Sequence, residues 1–162
     1  MDTSIELPTT IYDILRKEAL RRGKTIEEII IEALAKYLDP NISIKAYLEL
    51  HEKYLKEAEE YLVKGDLTQA GEKYWSAIAS LLNAIAVKKG WPHYSHRDYS
   101  EIIERIAEEL NKPEISKWFA LAERMHANYY HNFIRSRHLF ENYRQDILKL
   151  VKILKEYIGS LR

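Results

Sequence analysis

From Ile42 onward, apolar residues recur at three- and four-residue intervals, the spacing of helices that bury one face. Ile44, Tyr47, Leu48, His51, Leu55, Ala58 and Leu62 mark a first long helix. Gly65-Asp66 ends it and caps the next, with Gln69 as the capping-box partner. Leu67 to Val87 is apolar almost all round from Tyr74 on, which predicts a helix at the centre of a bundle. A loop follows over Gly90-Trp91-Pro92-His93-Tyr94-Ser95-His96-Arg97. Then come a helix from Asp98 to Leu110, a turn at Asn111-Lys112-Pro113, and a helix running through Ala122 to Phe133. A last helix, from Asn142 to about Tyr157, turns Ile147, Leu150, Val151, Leu154 and Ile158 inward. Connections this short imply antiparallel neighbours.

The chain before this bundle has another texture. Thr3 to Leu7 alternates, with Ile5 and Leu7 on one side and Ser4 and Glu6 on the other, and Pro8 closes it. It reads as a short strand. A helix from Thr9 to Arg22 places Ile11, Ile14, Leu15 and Ala19 inward and stops at Gly23. Thr25 and Glu28 form a capping box for a second helix through Ile29, Ile30, Ala33, Leu34 and Tyr37. Asp39-Pro40-Asn41 breaks the chain. The expected fold is therefore all-α, with a small N-terminal strand-helix-helix unit over 1–40 and an antiparallel helical bundle over 41–162.

The helix through Ala122–Phe133 carries the densest set of groups able to do chemistry. At about 100° per residue, Trp118, Ala122, Met125 and Tyr129 form a core stripe. Arg124, Asn128, His131 and Arg135 form a polar stripe beside it. Between Arg124 and Lys155 stand seven basic and two acidic side chains, a local net of +5 that suits a phosphate. Arg124 could bind phosphate bidentately, His131 could transfer protons near neutral pH, and Asn128 could orient either. The plainer reading is a solvated face whose charge is consumed by Glu123 or Glu141. His93, His96 and Arg97 lie in a loop able to overhang such a site. His96 is then a second proton-transfer candidate, the alternative being a capping or surface histidine. His126, Arg135, His93 and Arg97 are candidate ligand-binding residues. The spacing of His93, His96 and His126 does not encode a zinc site, so no metal is expected. No phosphate loop, nucleophile elbow or di-metal carboxylate pair occurs, and no cofactor is expected.

Composition narrows the classes. Lys and Arg total 25 and Asp and Glu total 25, so no overall field draws the chain to nucleic acid or membrane. With no cysteine, disulfides, thiolate metal sites and a thiol nucleophile are excluded. Met1-Asp2-Thr3-Ser4 resembles no targeting peptide, and no apolar run approaches the ~20 residues of a membrane span. A cytoplasmic protein is expected. Twelve tyrosines, only two glutamines and abundant Ile, Glu and Lys lean toward a thermophile.

Two resemblances add expectations. Over residues 3–38 the layout of strand, Leu-Pro, helix, Arg-Gly-Lys-Thr and a helix ending in Glu-Ala-Leu resembles the ribbon-helix-helix family. That implies dimerisation through paired strands whose outward side chains read DNA. The outward positions are Asp2, Ser4 and Glu6, and 1–40 holds six basic and eight acidic residues. Carboxylates there would face phosphate, so no DNA partner is expected and the unit is read as a dimerising or packing module.

Residues 46–155 resemble the archaeal PaREP-one family, itself similar to HEPN helical bundles. The resemblance rests on Ala58-Glu59-Glu60-Tyr61-Leu62-Val63-Lys64-Gly65-Asp66, Lys73-Tyr74-Trp75-Ser76-Ala77, Ser95-His96-Arg97-Asp98-Tyr99 and Ala122-Glu123-Arg124-Met125-His126-Ala127-Asn128-Tyr129-Tyr130. HEPN domains often carry an Arg, four to six residues, then a His. Arg124 and His131 fit the loosest spacing, and His126 occupies the Arg position at the tighter one. Many HEPN proteins are metal-independent ribonucleases of toxin systems, and others are inactive or bind nucleotides. The resemblance thus implies RNA or nucleotide phosphate binding, with metal-independent cleavage as its candidate chemistry, in a homo-oligomer, expected to be a dimer. A ribbon-helix-helix regulator or antitoxin, and an interaction module without chemistry, stand as alternatives.

Overall fold

The computed structural model describes residues 3–162 and divides the chain into two compact units, the first ending at Asp39 and the second beginning at Pro40. In the first unit, α1 (Thr9–Arg22) ends at Gly23, whose φ of 61° lets its amide return to the Ala19 and Leu20 carbonyls. Thr25 and Glu28 cap α2 (Ile26–Leu34) reciprocally, as expected, and a 3₁₀ turn (Ala35–Tyr37) follows. Arg22 and Lys24 both pair with Glu32. The expected strand is absent: Thr3–Pro8 is irregular and exposed. A strand needs a ladder partner, and among the described residues none lies beside it. Of the outward positions, Ser4 and Glu6 are exposed, and Asp2 lies outside the described residues. Ile11 and Ile14 are not inward either, being 45 % and 59 % exposed, and of α1 only Ala19 is buried.

The second unit is a five-helix bundle: α3 (Pro40–Val63), α4 (Leu67–Lys89), α5 (His96–Leu110), α6 (Glu114–His131) and α7 (Arg137–Ser160). Its centre is α4, whose run from Tyr74 to Ala86 is buried throughout, as the all-round apolar pattern requires. The cross-helix partners give the directions. Tyr74 meets Glu59 and Ala77 meets His51, so α3 runs against α4. Glu72 meets His126 and Trp75 meets Phe119, so α6 also runs against it. Trp75 with His96 and Lys89 with Glu109 show α5 running with α4, contrary to the antiparallel order expected of helices joined by a short loop. Tyr74 with Arg144 and Lys88 with Ile158 show α7 running with it too. Gly71 sets the α4–α6 spacing: a Cβ there would come 3.2 Å from the Met125 Cβ.

Helix ends follow local chemistry with two shifts from the sequence reading. Helix α5 begins at His96, two residues before the expected Asp98, because Ser95 is its N-cap and Asp98 the capping-box partner. Similarly Ser136 caps α7, which begins at Arg137, five residues before the expected Asn142. Between α6 and α7 the chain turns at Asn132, φ 47°, so Arg135 lies beyond the helix rather than on its polar stripe.

Candidate functional site

Four side chains from three helices meet on one flank of the bundle. Glu72 and Trp75 sit one turn apart on α4, His96 starts α5, and His126 comes from the middle of α6. The Trp75 indole, 1 % exposed, is the floor. His96 stacks on it at 5.2 Å and 7° between planes, and His126 at 4.8 Å and 22°. The two imidazoles stack on each other, centroids 5.3 Å apart. Tyr130, one turn beyond His126, meets it edge-on at 5.3 Å.

A carboxylate fixes the tautomer of His126. Glu72 Oε2 lies 2.7 Å from His126 Nδ1, and an ionised carboxylate only accepts, so Nδ1 carries the hydrogen. In the neutral ring Nε2 is then the lone-pair nitrogen, and it makes no hydrogen bond with the described residues. Both side chains are mostly covered, at 13 % and 19 % exposure. Glu123, one turn before His126, has its pKa raised by burial, opposed by the neighbouring imidazole. Burial, then the Glu72 and Tyr129 charges, raises that of Tyr130. The group is thus a carboxylate-braced imidazole beside a second, solvent-exposed one.

The polar stripe expected on α6 is divided. Arg124 and His131 are exposed on a shared face about 150° around the helix from His126. The Arg124 guanidinium lies over the Phe133 ring at 4.7 Å. Asn128 belongs to the core side: it is fully buried, and its Oδ1 accepts from the Ile134 amide at 2.6 Å, bracing the turn out of α6. Tyr129 and Trp118 are correspondingly displaced from the core, which runs through Ile115, Phe119, Ala122 and Met125. Arg135 donates to the Asn132 carbonyl. In the loop, His93 is buried, with its Nδ1 3.3 Å from the Trp91 carbonyl and its ring against Tyr47 and Tyr94. Arg97 pairs with Glu101 on the surface. Of the candidates, then, His96 and His126 are brought together, while Arg124 and His131 stand on another face of α6.

Glu72 escaped the sequence reading because it lies 54 positions from the histidine it braces. The only signal was its place beside the Lys73–Ala77 segment. No group of three or more His, Cys, Asp or Glu among the described residues is arranged to hold a metal ion. Likewise no described helix is long and apolar enough to cross a membrane.

Fold and site together define an all-α bundle with a braced histidine pair at the junction of its central helix with two neighbours. The profile of the Archaeal PaREP1/PaREP8 family matches residues 46–151, and the chain belongs to that family. No curated protein and no solved structure matches the chain significantly.

Proposed function

We propose that the bundle binds RNA or a nucleotide through its phosphate and that the His96–His126 pair serves metal-independent cleavage of RNA. The observation that carries this reading is the Glu72-braced imidazole stacked 5.3 Å from a second, exposed one. Cleavage by transfer to the neighbouring hydroxyl needs one base and one acid on either side of a phosphodiester. His126 Nε2 takes the proton of the ribose 2′-hydroxyl, and that oxygen bonds to phosphorus. The P–O5′ bond breaks with its electron pair on O5′, which receives a proton from the imidazolium of His96. The products are a 2′,3′-cyclic phosphate and a free 5′-hydroxyl. Arg124 and His131 lie on another face of α6, and their role in this reading is to hold flanking phosphates rather than to transfer protons.

His126→Ala and His96→Ala should each lower the rate of cleavage of an RNA oligonucleotide in the presence of chelator by about 10²-fold or more. Glu72→Gln should lower it by less, since it leaves the imidazole but loosens its orientation. Unchanged rates in all three variants would sink the reading.

We propose further that the first unit is a self-association surface. Ile5, Ile11, Ile14 and Leu20 are all 45 % exposed or more, and an irregular, exposed segment precedes α1. Among its outward positions Ser4 and Glu6 offer no cation to DNA. Light scattering tests the association, as argued below.

A further inference from the structure

We propose that two sets of exposed rings, Tyr129 with Tyr130 beside the histidine pair and Phe133 with Arg124 on another face at the end of α6, make up a divided platform that selects unpaired nucleotides by stacking their bases. This rests on the reading of the His96–His126 pair as a phosphodiester site. Three aromatic rings at the end of α6 stand in solvent, at 38 %, 52 % and 42 % exposure. The core has no claim on them, because the buried stripe of the last turn is taken by Asn128. Three exposed rings within five positions mark a surface suited to an interaction.

Their placement relative to the imidazoles is specific. Tyr130 lies edge-on to His126, and Tyr129 lies edge-on to Tyr130 at 5.2 Å. The two tyrosine rings therefore continue outward from the histidine pair. Phe133 stands just past the helix end, with the Arg124 guanidinium on its face.

Charge names the occupant. From Arg124 to Phe140 the sequence holds three arginines, three histidines and no carboxylate. Arg124, Arg135 and Arg137 make their contacts with a ring and with backbone carbonyls, and none has a carboxylate partner among the described residues. Arg124 on the open Phe133 ring, with two more arginines lacking carboxylate partners in the segment that follows, suits a chain of phosphates with splayed bases. A duplex keeps its bases stacked inside and can offer these rings nothing but its backbone. A single strand is thus favoured over a duplex of the same sequence, and Tyr130 is the ring nearest the reacting phosphodiester.

The test measures binding of a labelled RNA single strand, the same sequence as a duplex, and poly-glutamate, to the full chain at fixed salt. Tyr130→Ala, Phe133→Ala and Tyr130→Phe are compared with the unaltered protein, with thermal unfolding measured alongside. A preference for the single strand is expected. Each alanine variant should lose about tenfold in affinity for it, and Tyr130→Phe should keep it. Equal binding of duplex, or of poly-glutamate, would show that charge alone is read and would overturn the platform. So would alanine variants that bind normally. If those variants bind and His126→Ala still abolishes cleavage, the platform falls and the histidine site stands. If no RNA binds at all, both fall.

Discussion

Single side chains in this bundle divide into those that hold the fold and those held by it. Met125 and Asn128 belong to the first kind. Met125 is fully buried against the glycine at position 71, and Met125→Ala should lower stability by about 2–5 kcal/mol. Asn128→Ala removes the acceptor of the Ile134 amide and leaves that group buried and unpaired, at a cost of about 1–3 kcal/mol. Arg124→Ala and His131→Ala, both on exposed side chains, should leave thermal unfolding nearly unchanged. The four melting curves check this, and an Asn128→Ala protein that melts normally would contradict the bracing role. His51 adds a pH effect. It is fully buried, its Nδ1 lies 2.8 Å from the Ala77 carbonyl, and burial lowers its pKa below the ordinary 6.5, with the Glu52–Lys155 ion pair alongside. The unfolded chain therefore binds a proton below about pH 6.5 that the folded chain refuses. Stability contributed by neutral His51 is complete above that pH and falls as the pH drops toward the lowered folded value. Melting temperatures from pH 7.5 to 5 should decline, and His51→Gln should flatten the decline.

Between whole helices, the central element decides most. α4 touches every other helix of the bundle, and polar links fasten the periphery to it. The Tyr74 hydroxyl donates to Glu59, and Arg144 forks onto the same carboxylate, tying α3, α4 and α7 together. Burial and the Glu59 hydrogen bond raise the Tyr74 hydroxyl pKa, keeping it a neutral donor. On the other flank, α4 supplies the floor and the brace of the histidine pair. The predicted loss of cleavage on Glu72→Gln is thus a statement about the α4–α6 contact. A substitution there acts by freeing the ring of His126 to turn, so it should change the rate more than the affinity for RNA. Measuring both in one titration checks the distinction.

At the scale of the molecule, the expected assembly is a dimer formed through the first unit. That unit buries few of its own apolar side chains, with only Ala19 and Ile29 among the buried hydrophobic residues described before Pro40. So small a unit gains little from its own core. Light scattering at micromolar concentration should give twice the 19.2 kDa of the chain. Ile11→Glu with Ile14→Glu should return it to a monomer with the bundle still folded. A monomeric mass for the unaltered protein would end the proposal.

Much of this architecture was legible along the chain because helix formation is local. Apolar spacing, Gly23, the Thr25–Glu28 box and Gly65-Asp66 each act within a few residues, and the helices stand where they predict. The all-round apolar run of α4 likewise marked the bundle centre, and the quoted segments marked the family. What the sequence could not decide was which residues meet. The strand over Thr3–Leu7 depends on a partner that its own alternation cannot supply. The stripe through Arg124, Asn128, His131 and Arg135 assumed that α6 continues to Arg135. Asn132 ends it first, and Asn128 turns to the core to brace the exit. The pairing of His126 with Glu72 and His96 arises only where three helices pack. Its spacing is set by a glycine at a helix contact, and helical periodicity carries no record of a neighbour 54 residues away.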